Sequence, residues 1–207
     1  MYKRQEHIRR QAKEWLEDAV VRLPQELTRT GHVRFAESFA EGLIAAGEEF
    51  DARLIVIGTA GGSIFGRHRL GSVASELLHS SSIPVALAPA GTAEQDDHVL
   101  PRVTAAVGNR AGADNLLDEA AAIATESRVG LRLVSLVPFD VPPGLDTGAI
   151  RVVGDEHANE VLEIAKGLLP EELKAEVEEA PGDTVEDAVA HLSWLPGEVV
   201  LVGSSRL

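Results

Sequence analysis

A glycine-rich loop between an apolar strand and a helix start constrains the fold of this chain more than any other feature. Residues 53–57 (RLIVI) are a short β-branched run, typical of a buried parallel strand. Residues 58–72 (GTAGGSIFGRHRLGS) follow, and residues 73–78 have the pattern of a helix that Ser72 can cap. Because glycines let backbone N–H groups approach closely and a helix N-terminus adds partial positive charge, the arrangement predicts an anion site. A phosphate-bearing nucleotide is the natural ligand class.

The strand-and-glycine pattern occurs twice. Residues 54–58 (LIVIG) and 199–203 (VVLVG) both end an apolar run on a glycine, an offset of 145 residues, which is about the size of one α/β domain. Upstream of each glycine the pattern predicts a long amphipathic helix, a strand (residues 33–39 and about 174–179) and a second helix. The apolar faces of the two long helices consist of Ile8, Trp15, Leu16, Ala19, Val20 and Leu23 in the first copy, and Ala158, Val161, Leu162, Ala165, Leu168 and Leu169 in the second.

Between the copies, residues 91–101 (GTAEQDDHVLP) form a polar linker closed by a proline. A strand at 103–107, a helix at 113–127 and a strand at 131–137 follow, and the proline- and glycine-rich residues 138–154 predict a loop. Alternating strands and helices of this length predict a doubly wound α/β fold with a parallel, Rossmann-like sheet. We therefore expect a first repeat over residues 1–90 and a second over 102–207.

Each repeat is incomplete by this comparison. The first has no counterpart of the strand, helix and strand at 103–137, and the second ends at its glycine, which predicts a chain truncated at both ends. An alternative is one circularly permuted domain built from residues 1–89 and 102–137, with the remainder as a tail. The linker of eleven residues, extended, spans roughly 36 Å, enough for that arrangement. Asn109 would then face the Gly58 loop.

The glycine loop resembles a known family. The pattern G-x2-G-x9-G-[ST], met by Gly58, Gly61, Gly71 and Ser72, is similar to the nucleotide-binding signature of the universal stress proteins. Residues 36–44 (AESFAEGLI) and 80–89 (SSSIPVALAP) also resemble that family, and the resemblance is strongest over residues 33–89. The family fold it implies is of the adenine nucleotide alpha hydrolase type.

The resemblance implies ATP as the ligand, with Mg²⁺ as a possible companion. The residues that it assigns to binding are Gly58, Thr59, Gly61, Gly62, Gly71, Ser72 and Val73, and Arg67 adds positive charge beside the loop. Each has a plainer interpretation: an ordinary strand-to-helix turn for the glycines, a simple N-cap for Ser72, and a solvated loop tip for Arg67. No residue is assigned to catalysis or to a metal.

The second copy departs from the signature. Its glycine loop is Gly203-Ser-Ser-Arg206, so that an arginine stands where the second glycine is expected, and close backbone approach is impaired. ATP-binding members of the family use an aspartate after the opening strand, where this copy has Asn109 after Gly108. If nucleotide binds, we expect it at the first copy.

The leading hypothesis is therefore a nucleotide-dependent switch or binding module of the stress response, without turnover. The family also implies a homodimer through the last strand of the first copy, Val85 to Pro89. The alternative is a degenerate repeat that serves only as a dimerisation scaffold. Weak ATP hydrolysis or adenylation stays open, with Arg67 and Arg69 as its candidate cations.

Composition excludes several other classes. A formal charge of −14 argues against nucleic-acid binding, and no apolar run approaches the roughly 20 residues of a membrane helix. The chain has no cysteine, so we expect a cytoplasmic protein with neither disulfides nor thiolate chemistry. Its seven histidines show no metal-binding spacing.

Overall fold

The chain divides into two compact units. In a computed structural model, unit 1 comprises Met1–Ala90 and unit 2 comprises Gly91–Leu207. The structure describes residues 2–59, 71–92, 99–108, 113–135, 160–170, 172–179 and 185–203. Within those ranges, no helix combines the length and the apolar character that crossing a bilayer requires.

Unit 1 is a pair of parallel strands covered by helices. Its described helices are α1 (Tyr2–Arg22), α2 (Phe39–Glu49) and α3 (Ser72–Ser80), and its strands are β1 (Ile55–Gly58) and β2 (Val85–Ala88). β1 and β2 pair in parallel, with Ile55 opposite Val85 and Gly58 opposite Ala88.

The core of unit 1 is small. Ala40 of α2, Ile55 of β1 and Leu77 of α3 are buried together, which places α2 and α3 on one face of the strand pair. Ser38 accepts the Glu41 N–H at 3.1 Å, which caps α2, and donates its hydroxyl to Glu76 of α3 at 3.0 Å. The other face of the strand is open, because Val56 is 63% exposed.

Unit 2 contains a four-stranded parallel sheet. Its elements in chain order are β3 (Arg102–Val107), α4 (Ala113–Ser127), β4 (Gly130–Ser135), the helical residues 160–167 (α5), β5 (Ala175–Glu179), α6 (Val185–His191) and β6 (Val199–Val202). The strand order is β5-β4-β3-β6, and every pairing is parallel. β3 and β4 are the central strands.

Different elements lie on the two faces of this sheet. Val103 and Leu131 face the same side because parallel partners share a face, and they form one buried cluster with α4 and α5. Arg132, the next residue of β4, faces the opposite side, where the ring of Trp194 lies 4.7 Å from its guanidinium carbon. The α/β, doubly wound fold class is thus confirmed.

Several sequence predictions match the observed elements closely. The helix predicted at 113–127 has the same bounds as α4, and the strands predicted at 103–107 and 174–179 differ from β3 and β5 by one residue. The strand predicted at 131–137 is observed over Gly130–Ser135, and the loop predicted at 138–154 lies outside the described residues.

Two predictions are wrong, and one alternative is excluded. Residues 33–39 form no strand: Ser38 is the N-cap of α2 and Phe39 is its first residue. Ser72 does not cap α3, because Gly71 occupies the N-cap position. The circularly permuted domain is excluded, because β3 has β4 on one side and β6 on the other, both from unit 2.

Candidate functional site

The candidate site lies at the carboxyl edge of the β1–β2 pair. β1 ends at Gly58, and α3 begins at Ser72 before the chain returns to β2. In a parallel strand–helix–strand unit, the end of the first strand and the start of the helix meet at one edge of the sheet. Gly58 and the amino end of α3 therefore belong to the same edge.

Two glycines at this edge have open surroundings. No atom of the described residues lies within 4 Å of where a Cβ would stand on Gly58 or on Gly71. Gly71 has φ −65° and ψ 160°, which any L-residue adopts, and Gly58 is not among the glycines with positive φ. Within the described structure, neither packing nor backbone conformation requires glycine at these two positions.

The amino end of α3 presents unpaired N–H groups. The first hydrogen bond into the helix runs from Ser75 N–H to the Gly71 carbonyl at 3.0 Å. The N–H groups of Ser72, Val73 and Ala74 therefore have no carbonyl within the helix, as at every helix start. Since Gly71 has no side chain, these donors also lack an N-cap side chain, and among the described residues no other partner is found for them, which makes them available to water or to an anion.

The predicted side chains at this edge have different surroundings. Ser72 is exposed on the first turn, whereas the Val73 side chain packs against the core of unit 1. Thr59 donates both its N–H, at 2.9 Å, and its hydroxyl, at 3.4 Å, to the Ala88 carbonyl. Thr59 thus joins the ends of β1 and β2 through its hydrogen bonds. Val73 can contribute only its backbone N–H to a ligand.

The rest of the predicted loop is outside the described residues. That applies to Gly61, Gly62 and Arg67, and also to His68 and Arg69. Of the eight predicted binding residues, the structure brings five to one edge, namely Gly58, Thr59, Gly71, Ser72 and Val73.

The corresponding edge of unit 2 is more closed. Gly203 follows β6 as Gly58 ends β1, but Leu116 of α4 lies 3.9 Å from where its Cβ would stand. Gly108 follows β3 and is exposed, while Asn109 and Arg206 lie outside the described residues. A side chain from α4 therefore contacts the one glycine of the loop that the structure describes.

Sequence reasoning missed a buried charged cluster in unit 2. Arg132 is 1% exposed and donates to Glu198 at 2.9 Å and to Glu178 at 2.6 Å. Arg102 donates two hydrogen bonds to the Glu198 carboxylate, and the Thr104 hydroxyl donates a further one. The sequence signal for this cluster was Arg132, the second residue of the apolar run at 131–137. A strand with two buried faces must pair such a charge.

The carboxyl of Glu198 is kept ionised by its partners. Burial alone raises its pKa, but hydrogen bonds from Arg102, Thr104 and the Leu195 N–H, together with the charge of Arg132, outweigh burial and lower the pKa overall. The cluster lies at the amino end of β3, β4 and β6, away from the carboxyl edge. Its donors and acceptors are directed at one another, so it holds strands together.

No metal site is found in the described part of the chain, where no three histidine, aspartate or glutamate side chains are grouped to hold an ion. The location of the candidate site is indicated by the fold, which is that of a doubly wound α/β protein. Such proteins bind ligands at the carboxyl edge of their strands.

Comparison with known proteins finds similarity to one family. Residues 2–89 match the model of the universal stress protein family. Universal stress proteins of Mycobacterium tuberculosis and Mycobacterium bovis are each 25% identical over 192 residues, which cover 89% of this chain and 65% of the relative. Unit 1 thus matches the universal stress protein family model over almost its whole length, and the chain spans 65% of the length of these relatives.

A solved structure supports the fold. The universal stress protein of Archaeoglobus fulgidus superposes with a TM-score of 0.58 at 21% identity, over 89% of this chain and 62% of the other. At that identity the likeness concerns the fold alone. The predicted family resemblance, made on the glycine loop and its flanks, is confirmed.

Proposed function

We propose that unit 1 binds ATP at the carboxyl edge of β1 and acts as a nucleotide-dependent switch or binding module of the stress response. The phosphates would lie against the unpaired N–H groups of Ser72 and Val73 and beside Gly58. The Ser72 hydroxyl is exposed at the same place and can donate to a phosphate oxygen. Gly61, Gly62 and Arg67, with Mg²⁺, would complete the site in this proposal.

The observation that carries this proposal is the pair of open glycines. Gly197 is explained by its positive φ of 80°, whereas the residues that the structure describes give Gly58 and Gly71 no such intramolecular reason. Binding of a ligand against the backbone is a reason for glycine at both positions. A Cβ at either position would occupy the space where a phosphate approaches the N–H groups.

A matched pair of valine variants tests the site. We expect Gly58→Val to abolish binding of ATP with Mg²⁺ in isothermal titration calorimetry, whereas Gly203→Val, at the counterpart position of unit 2, leaves the affinity unchanged. Circular dichroism checks that both variants fold; an added Cβ at Gly58 meets no described atom within 4 Å. Unchanged affinity of Gly58→Val would contradict the site.

A second measurement separates the alternatives. If the unmodified protein binds neither ATP nor AMP, the scaffold interpretation replaces the nucleotide switch. If phosphate or pyrophosphate is released above background, the proposed absence of turnover is wrong. We place the protein in the cytoplasm, which subcellular fractionation can check.

We also propose a homodimer through β2, over Val85 to Pro89. Among the described strands, β2 pairs only with β1. The Pro84 and Ala88 carbonyls accept from Ile55 and Thr59 of unit 1, so the alternate N–H of Leu87 is directed away from β1. Leu87→Pro removes that outward donor while β1 keeps its partners. Sedimentation equilibrium of this variant tests the interface, and an undiminished dimer would contradict it.

A further inference from the structure

Helix α1 carries an apolar stripe that the described part of unit 1 leaves exposed. Ile8, Ala12, Trp15 and Ala19 are spaced by four, three and four residues, the spacing of a coiled-coil seam. Ile8 is 53% exposed and Trp15 is 67% exposed. An exposed tryptophan and isoleucine on one helix face mark a surface for association.

Two contacts that α1 makes with described residues of its own unit lie beside this stripe. Leu16 packs against Gly31, where an added Cβ would stand 3.0 Å from its Cγ. The Arg9 guanidinium lies 5.8 Å from the centroid of the Phe35 ring. We call the stripe of Ile8, Ala12, Trp15 and Ala19 the seam. Arg9 comes one position after Ile8, and Leu16 comes one position after Trp15. Residues 31–35 therefore cover a flank of the helix and leave the seam itself accessible.

Charge is segregated along the same helix. Arg9, Arg10 and Lys13 stand in the first part, whereas Glu14, Glu17 and Asp18 follow directly. Lys13 and Glu17 form an exposed ion pair at 3.6 Å within the helix. A helix of this kind repels a parallel copy of itself and attracts an antiparallel one, because each basic segment then lies beside an acidic segment.

We propose that α1 pairs antiparallel with α1 of a second copy of this chain. In the register that aligns the seams, Ile8 lies opposite the partner's Ala19, and Trp15 lies opposite the partner's Ala12. Each large side chain thus meets a small one, which allows close packing. A parallel pair would instead set Trp15 against the partner's Trp15 and basic segments against each other.

The seam has four layers, over a helix of 21 residues, which is about 32 Å long. That length gives a small interface and therefore a weak, concentration-dependent dimer. The pairing uses neither the glycine loop nor β2, so it is independent of the proposed function. Association should weaken with added salt, because segregated surface charge contributes to it.

Two variants of equal charge test the seam by sedimentation equilibrium in the Leu87→Pro background, which removes the proposed β2 contact. Trp15→Glu should raise the dimer dissociation constant by about 30-fold or more, the effect typical of losing a central tryptophan. Val21→Glu is the matched control, since Val21 is 78% exposed but lies off the seam. Equal effects of the two variants, or none from Trp15→Glu, would overturn the proposal.

Cysteine cross-linking tests the orientation. Because the chain has no cysteine, Ile8→Cys and Ala19→Cys introduce the only thiols. Under mild oxidation we expect a disulfide-linked dimer when the two variants are mixed, and little when each is oxidised alone. Cross-linking of Ile8→Cys with itself would show a parallel pair, and absence of the mixed product would show no pairing at this seam. Either result rejects the proposal.

Discussion

The two units repeat the same kinds of element but bury their strands to different extents. In unit 2, Leu131 and Leu133 are almost completely buried, because β4 has β3 and β5 as neighbours and these side chains pack in one cluster with α4 and α5. In unit 1, Leu54 and Val56 around β1 are 50% and 63% exposed, although the sequence there is as apolar. A strand's burial is thus decided by its neighbours rather than by its own composition.

Ion pairs show the same contrast. In unit 2 the Arg132–Glu198 pair is almost fully buried, with side chains 1% and 2% exposed. In unit 1 the Arg34–Glu49 pair is 36% and 55% exposed. Removing one partner leaves an uncompensated charge only where the other is buried, so the two pairs should respond very differently to the same substitution.

The largest expected effect is therefore from Glu198→Gln. We expect a loss of about 3–5 kcal/mol in the free energy of unfolding of unit 2, because Arg132 loses its buried counter-charge. Urea unfolding followed by Trp194 fluorescence, in a Trp15→Phe background, measures it, since Trp194 lies against Arg132. Glu178→Gln is the control with a smaller loss, because Glu178 is 37% exposed and Arg132 keeps Glu198 as its buried counter-charge. Equal losses would contradict the role of burial.

For the counterpart in unit 1, Glu49→Gln should leave stability almost unchanged, since the pair with Arg34 is solvent-exposed. Native-state hydrogen exchange of residues 39–58 reports this unit alone. A loss as large as that of Glu198→Gln would show that the comparison between the two pairs is wrong.

Replacing a buried core leucine by alanine should also affect the two units differently. Leu133→Ala in unit 2 and Leu77→Ala in unit 1 each remove a completely buried side chain, with a typical cost of about 2–5 kcal/mol. Because the described core of unit 1 is much smaller, we expect Leu77→Ala to abolish exchange protection in unit 1, while Leu133→Ala only lowers protection in unit 2. Residual full protection in Leu77→Ala would contradict this.

Sequence reasoning succeeded where local pattern and tertiary context agree. The bounds of α4 followed from its alanine-rich periodicity, and β3 followed from its apolar run. It failed at residues 33–39, whose β-branched and aromatic residues favour a strand. The corresponding β5 is a strand because β4 lies beside it. No described strand of unit 1 pairs with residues 33–39, and propensity alone did not form a strand there.

The candidate site was predictable only in part. The glycine spacing located the strand end and the helix start, because both depend on local sequence. The commitment of Thr59 to the Ala88 carbonyl could not be predicted, since it depends on the register between β1 and β2. The Arg132–Glu198 pair likewise joins residues 66 positions apart, a contact that only the strand order creates.

Acid should destabilise unit 2 through Glu198. Its pKa in the folded protein is lowered, so the stabilisation is fully present above the unfolded pKa, about 4.3 for glutamate, and is lost as pH falls through the folded value. We expect the urea midpoint for unfolding of unit 2 to decrease as the pH is lowered below about 4.3. The decrease should be less steep in Glu198→Gln. Parallel pH profiles of the two proteins would contradict this assignment.

A further modest effect should separate glycines that the backbone requires from those that it does not. Gly197 in unit 2 has φ 80°, and an added Cβ would lie 3.2 Å from the Val99 carbonyl oxygen, so Gly197→Ala should cost about 1–2 kcal/mol. Gly58→Ala in unit 1 should be neutral or slightly stabilising, because its φ is not positive and its surroundings are open. Urea unfolding measures both. A destabilised Gly58→Ala would mean that the fold itself needs this glycine, which would remove the main reason for assigning it to a ligand.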